Sequence, residues 1–238
     1  SNGSASSESY RTILSKKDLD GLIKELKKAK VLAFDTETDS LDFTQANLVG
    51  VSVATDEDNA YYIPVGHDYE GAPKQLDRDE VLKKLKPIIE KTPLIGQHLK
   101  FDRNVLANYD IHLNVIENDT MLMSYVYDPT ATRHNLDAMA SHYLNVKTTT
   151  FEDVAGKGVK QLTFNQIPLE KASDYAAEDA DITFRCYSHL QPALAKTPSL
   201  EKVLHEIELP LVPVLSDMEQ AGTLVNEEAL KVQSNNLG

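Results

Sequence analysis

Val31-Leu32-Ala33-Phe34-Asp35-Thr36-Glu37 decides how this chain is read. An apolar run of this kind reads as a short buried strand, and it ends in two carboxylates at i and i+2, which share one face of a strand. Carboxylates side by side at the tip of a buried strand repel each other unless a cation sits between them. Hard divalent cations such as Mg²⁺ take oxygen ligands, commonly one or two carboxylates together with substrate phosphates. Asp35 and Glu37 therefore read as half of a metal site for phosphate chemistry. A lone Asp-x-Glu is more often a surface turn, so the partners decide.

Two segments supply them. Ser173–Thr183 is rich in helix formers and holds neither Gly nor Pro, and Tyr175 and Asp179 stand at i and i+4, on one helical face. Between the two ends lies Gln97-His98-Leu99-Lys100-Phe101-Asp102, where Asp102 is expected to open a helix through Arg103-Asn104-Val105-Leu106. The helix dipole favours an acid there. Taken singly, Asp102 reads as a cap and Asp179 as a solvated charge.

The order of the three changes that reading. A strand-borne Asp-x-Glu, a helix-start Asp and a helix-borne Tyr-x-x-x-Asp resemble the signature of 3′–5′ exonucleases with four acidic ligands and a tyrosine. Phe34–Leu41, Gly96–Asp102 and Tyr175–Asp181 look like the three exonuclease motifs of bacterial DNA polymerase I, of polymerase family A. So do the intervening Gly156-Lys157-Gly158 and Gln161-Leu162-Thr163-Phe164-Asn165-Gln166. The resemblance runs from about Tyr10 to the C-terminus.

That resemblance implies an α/β chain with the ribonuclease H-like exonuclease fold, a mixed central sheet flanked by helices. It implies two divalent metal ions, Mg²⁺ with Mn²⁺ or Zn²⁺ as substitutes, held by Asp35, Glu37, Asp102 and Asp179. Asp35, Glu37 and Asp179 would surround the ion that activates water. Asp35 would bridge to a second ion, which Asp102 reaches directly or through water. Tyr175, with an ordinary pKa near ~10, would stay protonated and orient the attacking water. Leu41, Phe151 and Arg133 match strand-contacting positions. Core packing competes with that role for Leu41 and Phe151, and a surface salt bridge competes for Arg133. His98 departs from the family pattern, where asparagine is usual and can hydrogen-bond the terminal nucleotide. Glu178 and Asp181 are expected to be solvated or to support the ligands from behind.

By resemblance the chain is a proofreading exonuclease that releases deoxynucleoside monophosphates from single-stranded or frayed DNA 3′ ends. Its partners would be that 3′ end and the polymerase domain of the same parent chain, with the exonuclease itself monomeric. A ribonuclease D-like exonuclease acting on RNA 3′ ends is one alternative. A catalytically silent scaffold for a polymerase core is another, and retention of all four acids and the tyrosine weighs against it.

Composition sets the outer bounds. The chain has 238 residues, 41% of them hydrophobic, enough for one sizeable α/β domain or two small ones. A single cysteine, Cys186, excludes a disulfide framework and reads as a buried apolar residue. Without an apolar run of about 18 residues, the reading is a soluble cytoplasmic protein and no membrane partner. A net charge of −13 is unusual for a nucleic-acid enzyme, because basic patches normally supply phosphate affinity. Two divalent ions would reverse that sign where the reacting phosphate lands.

Along the chain, residues 1–9 read as a leader or cloning scar, 10–196 as the exonuclease domain, and 197–238 as a helical linker opening a truncated polymerase domain. Strands are expected at 31–36, Leu48–Ala54, Ala60–Val65 and Pro93–Gln97. Helices are expected from Ser15, at Asp77–Glu90, Thr120–Tyr127, Asn135–Tyr143, Leu169–Leu194 and Leu200–Gln220. Lys147–Lys160, polar and Gly-containing, reads as a disordered or mobile stretch. Gly156-Lys157-Gly158 lacks the spacing of a nucleotide-triphosphate loop.

Overall fold

A computed structural model describes residues 9–222; the leader reading for 1–8 and the C-terminal reading for 223–238 lie outside the described residues. The elements are β1 (Arg11–Thr12), α1 (Lys16–Leu26), β2 (Leu32–Thr38), β3 (Leu48–Asp56), β4 (Asn59–Pro64), α2 (Arg78–Ile89), β5 (Leu94–Gly96) and α3 (Leu99–Ala107). There follow β6 (Ile116–Asp119), α4 (Thr120–Tyr127), α5 (Leu136–Met139), α6 (Phe151–Ala155), α7 (Leu169–Ala195), α8 (Pro198–Val203) and α9 (Leu209–Ala221). The expected mixed sheet is present, in the order β1-β4-β3-β2-β5-β6. β2, β3 and β4 form an antiparallel meander, while β1 joins β4, β5 joins β2 and β6 joins β5 in parallel.

The period of two along β2 sorts its side chains onto two unlike faces. Leu32 and Phe34 join Val51, Val53 and Ile63 in the larger core, against Leu19, Leu22 and Leu26 of α1, Leu82, Leu85 and Ile89 of α2, and Val105 and Leu106 of α3. The other face is small: Ala33, Ala54 and Ala60 meet Ala177 and Ala180 of α7. Alanine against alanine lets a long helix lie close on the sheet. On this face Asp35 and Glu37 follow Ala33 at successive i+2 positions, so both carboxylates point toward α7.

Local signals set the element ends. Ser15 caps α1 by accepting from the Asp18 amide, and Asp77 caps α2 by accepting from the Glu80 amide. The register of β2 on β3 shifts between Glu37 and Thr38, a bulge that ends regular pairing just past the second carboxylate. The long C-terminal helical pattern is continuous but carries a π-turn at Leu204–Glu208. Pro210 follows it and lacks the N–H that an α-turn would need, which loosens the ladder there.

Two expectations change. Lys147–Lys160, expected to be disordered or mobile, contains a capped helix: Thr150 and Asp153 form a reciprocal capping box that opens α6. Asp102 is not a cap, because α3 already starts at Leu99. Asp119, at the end of β6, accepts from the His98 and Leu99 amides (3.2 and 2.8 Å) and so caps α3 from outside.

Gly50 illustrates how tightly the α7 face is built. A Cβ there would sit 2.3 Å from the ring of Tyr62, which is fully buried. Gly50→Ala is therefore expected to destabilise the fold by about 1–3 kcal/mol through overpacking. Urea unfolding measures this, with a lowered midpoint at unchanged slope as the expected result.

Candidate active site

The carboxylates of Asp35, Glu37 and Asp179 converge, with one oxygen of each lying within 4.8 Å of the others. β2 delivers the first two from the sheet and α7 lowers the third onto them. Tyr175, one turn before Asp179, lines the same cleft, which holds about 700 Å³ and opens to solvent. The cleft wall also carries Leu41, Phe151, Phe101, Leu162 and Phe164.

Asp102 approaches from the opposite layer and is not one of the three converging carboxylates. Thr36 points away from α7, and its amide and hydroxyl both donate to Asp102 Oδ1 (2.9 and 2.5 Å). Asp102 is buried. The Thr36 clamp thus fixes a carboxylate of α3 against the residue that separates the other two acids.

Such an arrangement is electrostatically costly. Burial raises the pKa of Asp35, Glu37, Asp102 and Asp179. Repulsion from Asp35 adds to burial for each of the other three. Burial, then the charges of Asp179, Glu37 and Asp35, drive the Tyr175 phenol far above its ordinary value, so it stays protonated at any working pH. Glu37 Oε1 is buried without a hydrogen-bond partner. Orphaned, crowded carboxylate oxygens of this kind are a donor set for a hard divalent cation, so the residues fit the ions implied by the sequence.

Behind Glu37 stands Tyr62, raised by burial and by the Glu37 charge, its hydroxyl 2.7 Å from His67 Nε2. Gly50 makes room for the Tyr62 ring.

The remaining expectations divide. Leu41 is 93% exposed at the cleft mouth, which removes core packing as its role. Phe151 packs edge-on to Tyr175, with ring centroids 6.2 Å apart. Arg133 is exposed and makes no ion pair among the described residues. His98 is exposed in a left-handed conformation (φ 63°), one that Asn, Asp and His adopt more readily than most residues. Neither His98 nor Arg133 lines the cleft, but their segments meet where Gln97 donates to the His134 carbonyl (2.8 Å). Asp181 is not solvated. It is fully buried away from the cluster, accepting from Tyr10, the Asp58 amide and Arg185. Glu178 accepts from the Thr149 amide. Cys186 is buried, as read from its helix. Thr36 and Phe101 went unassigned, although both lie inside the quoted motifs.

The family described as 3′–5′ exonuclease matches residues 10–195. The chain belongs to that family. It is 52% identical over 233 residues to DNA polymerase I of Pseudomonas aeruginosa, covering 96% of this chain and 26% of that protein. Against DNA polymerase I of Borreliella burgdorferi it is 39% identical, covering 93% and 24%. The chain thus spans about a quarter of the curated relatives' length. Its fold matches a structure described as the POL domain of Pol1 from M. smegmatis in complex with DNA primer-template and dNTP (TM-score 0.73, 18% identity, 94% of this chain and 34% of that one). It also matches Brucella melitensis NrnC with bound Mg²⁺ (TM-score 0.55, 22% identity, 84% and 90%). No helix among the described residues is long and apolar enough to cross a membrane.

The raised carboxylate pKa values have a sign that stability measurements read. At these groups the folded state holds protons that the unfolded chain releases, so their contribution to metal-free stability is fully present below the ordinary carboxylate range and is lost as pH climbs through the raised values. Asp179→Asn relieves the repulsion at neutral pH. Each kcal/mol relieved lifts the metal-free Tm by about 2–4 °C. A rise in Tm on adding Mn²⁺ is expected for the parent protein and not for Asp179→Asn, and calorimetry with and without the ion reads both effects.

Proposed function

We propose that this exonuclease removes deoxynucleoside monophosphates one at a time from single-stranded or frayed DNA 3′ ends, as the proofreading part of a DNA polymerase I. The observation that carries the proposal is the convergence of Asp35, Glu37 and Asp179 on the wall of an open cleft that Tyr175 also lines. Asp35, Glu37 and Asp179 would hold one divalent ion, and Asp35 with Asp102 a second. Such a pair of ions would supply water activation, charge relief on the phosphoryl oxygens and stabilisation of the leaving 3′ oxygen.

The chain's own groups do the rest. Tyr175 keeps its proton, so its hydroxyl can donate to or accept from the attacking water, which suits it to orient that water rather than to act as a base. Leu41, at the cleft mouth, meets the terminal base, and Phe151 offers a face for the next. Base–aromatic stacking is worth roughly 1–3 kcal/mol and tolerates any base, as a proofreading site requires. Unpaired ends are preferred because they cost less to unstack and carry into the cleft. The acidic surface disfavours long duplex, so affinity concentrates at the metal-filled cleft. His98 and Arg133, on adjoining segments outside it, contact the strand further from the scissile bond.

The test is digestion of a single-stranded DNA oligomer, a duplex with a mispaired 3′ end, the matched duplex, and an RNA of the same sequence, each with Mg²⁺, Mn²⁺ or EDTA. Metal-dependent loss of single nucleotides from the DNA 3′ ends is expected, faster from the mispair than from a matched duplex. Faster digestion of the RNA would move the assignment to a ribonuclease. Asp35→Ala abolishes release, and undiminished cleavage by that variant would sink the proposal. Tyr175→Phe lowers kcat by about 10²-fold, the low end for a side chain positioned at proton transfer.

A further inference from the structure

We propose that Asn104 of α3 and Ser216 of α9 are positioning residues for this site, and that through them α9, a helix outside the span that matches the exonuclease family, acts on Asp102. The inference rests on the reading of Asp102 as a metal-holding carboxylate.

α3 has two working faces. Asp102 turns inward to the Thr36 clamp. Lys100, Arg103 and Asn104, at i, i+3 and i+4, share another face and meet α9. There Ser216 Oγ donates to Asn104 Oδ1 (2.6 Å) and accepts from Arg103 Nη1 (2.6 Å). Arg103 also bonds Asp217 (2.7 Å). Asn104 Nδ2 donates to Glu219 (2.7 Å), which in turn pairs with Lys100 (2.6 Å). Gln220 Nε2 donates to both Asn104 Oδ1 and Ser216 Oγ (3.1 Å each).

Asn104 and Ser216 are buried, at 1% and 0% exposure. Burying an amide and a hydroxyl costs free energy unless each is satisfied, and here both are. An apolar contact would let α3 and α9 slide by fractions of an ångström. A satisfied buried network accepts one relative placement. α3 is therefore fixed three ways: Asp119 caps its start, Thr36 grips Asp102, and the α9 network holds its outer face. Two of those holds come from within residues 10–195, the third from 213–220. The exonuclease site thus takes part of its geometry from a segment beyond the family match, and whatever moves α9 moves Asp102.

The experiment uses Asn104→Ala, with Glu219→Ala and Glu219→Gln as a pair, all in the full chain. The Thr36 amide resonance in metal-free protein reports its bond to Asp102 independently of any ion. It is expected to shift in Asn104→Ala and Glu219→Ala, and to stay in place in Glu219→Gln, which keeps an acceptor for Asn104. With Mg²⁺, the half-saturating concentration rises about 10-fold in Asn104→Ala, as for groups that orient ligands from behind. kcat falls while KM for a single-stranded oligomer holds. A lowered Tm with the Thr36 amide and Mg²⁺ dependence unchanged would overturn the proposal, leaving a packing contact. If Asn104→Ala does not fold, the Glu219 pair decides alone. A parent protein that cleaves nothing would count against the exonuclease reading, while the metal-free amide would still decide the role of Asn104.

Discussion

Three carboxylates forced together at the end of β2 set the terms for everything around them. Left to itself, an Asp-x-Glu at a strand tip would turn to solvent, and an Asp one helix away would do the same. The fold prevents this by making the strand's two faces unlike. Large aliphatic side chains bury one face under α1, α2 and α3, and alanines bring α7 close on the other. With β2 pinned from both sides, Asp35 and Glu37 have no freedom to separate from Asp179. The repulsion is held by packing and relieved only by a cation or a proton, so a site organised this way is expected to be less stable empty than filled.

Much of this was legible in the sequence because the site lies where periodicity is strongest. The apolar run before Asp35 marks a buried strand, and i, i+2 and i, i+4 spacings say which side chains share a face. Thr120–Tyr127 and Leu169–Ala195 match their helical patterns to within a residue. β1 and β6 went unread because two and four residues carry no period, and β6 (Ile116-Glu117-Asn118-Asp119) looks like a polar loop. Its last residue is a local N-cap of α4, but it also accepts from the first amides of α3, a tertiary task with no local signature.

Asp181 was misread for a related reason. Glu178 and Asp181 flank Asp179 in one acidic run, and proximity in sequence suggested that both are solvated or support the ligands from behind. Helical geometry instead turns Asp181 away from Asp179, toward Arg185 at i+4 and the Tyr10 hydroxyl from the far end of the chain. The network joining α3 to α9 was equally silent, since a pairing of Asn104 with Ser216 spans 112 positions and neither residue lies in the three exonuclease motifs. Motifs locate the carboxylates, and only the fold says what holds them in place.

The most direct test of the central claim is a titration of Mn²⁺ into metal-free protein, followed by paramagnetic broadening of backbone resonances. Saturable broadening centred on Asp35, Glu37, Tyr175 and Asp179, displaced by excess Mg²⁺, is the predicted result. Broadening spread over the acidic surface, or none at the tip of β2, would mean that the converging carboxylates do not form a metal site.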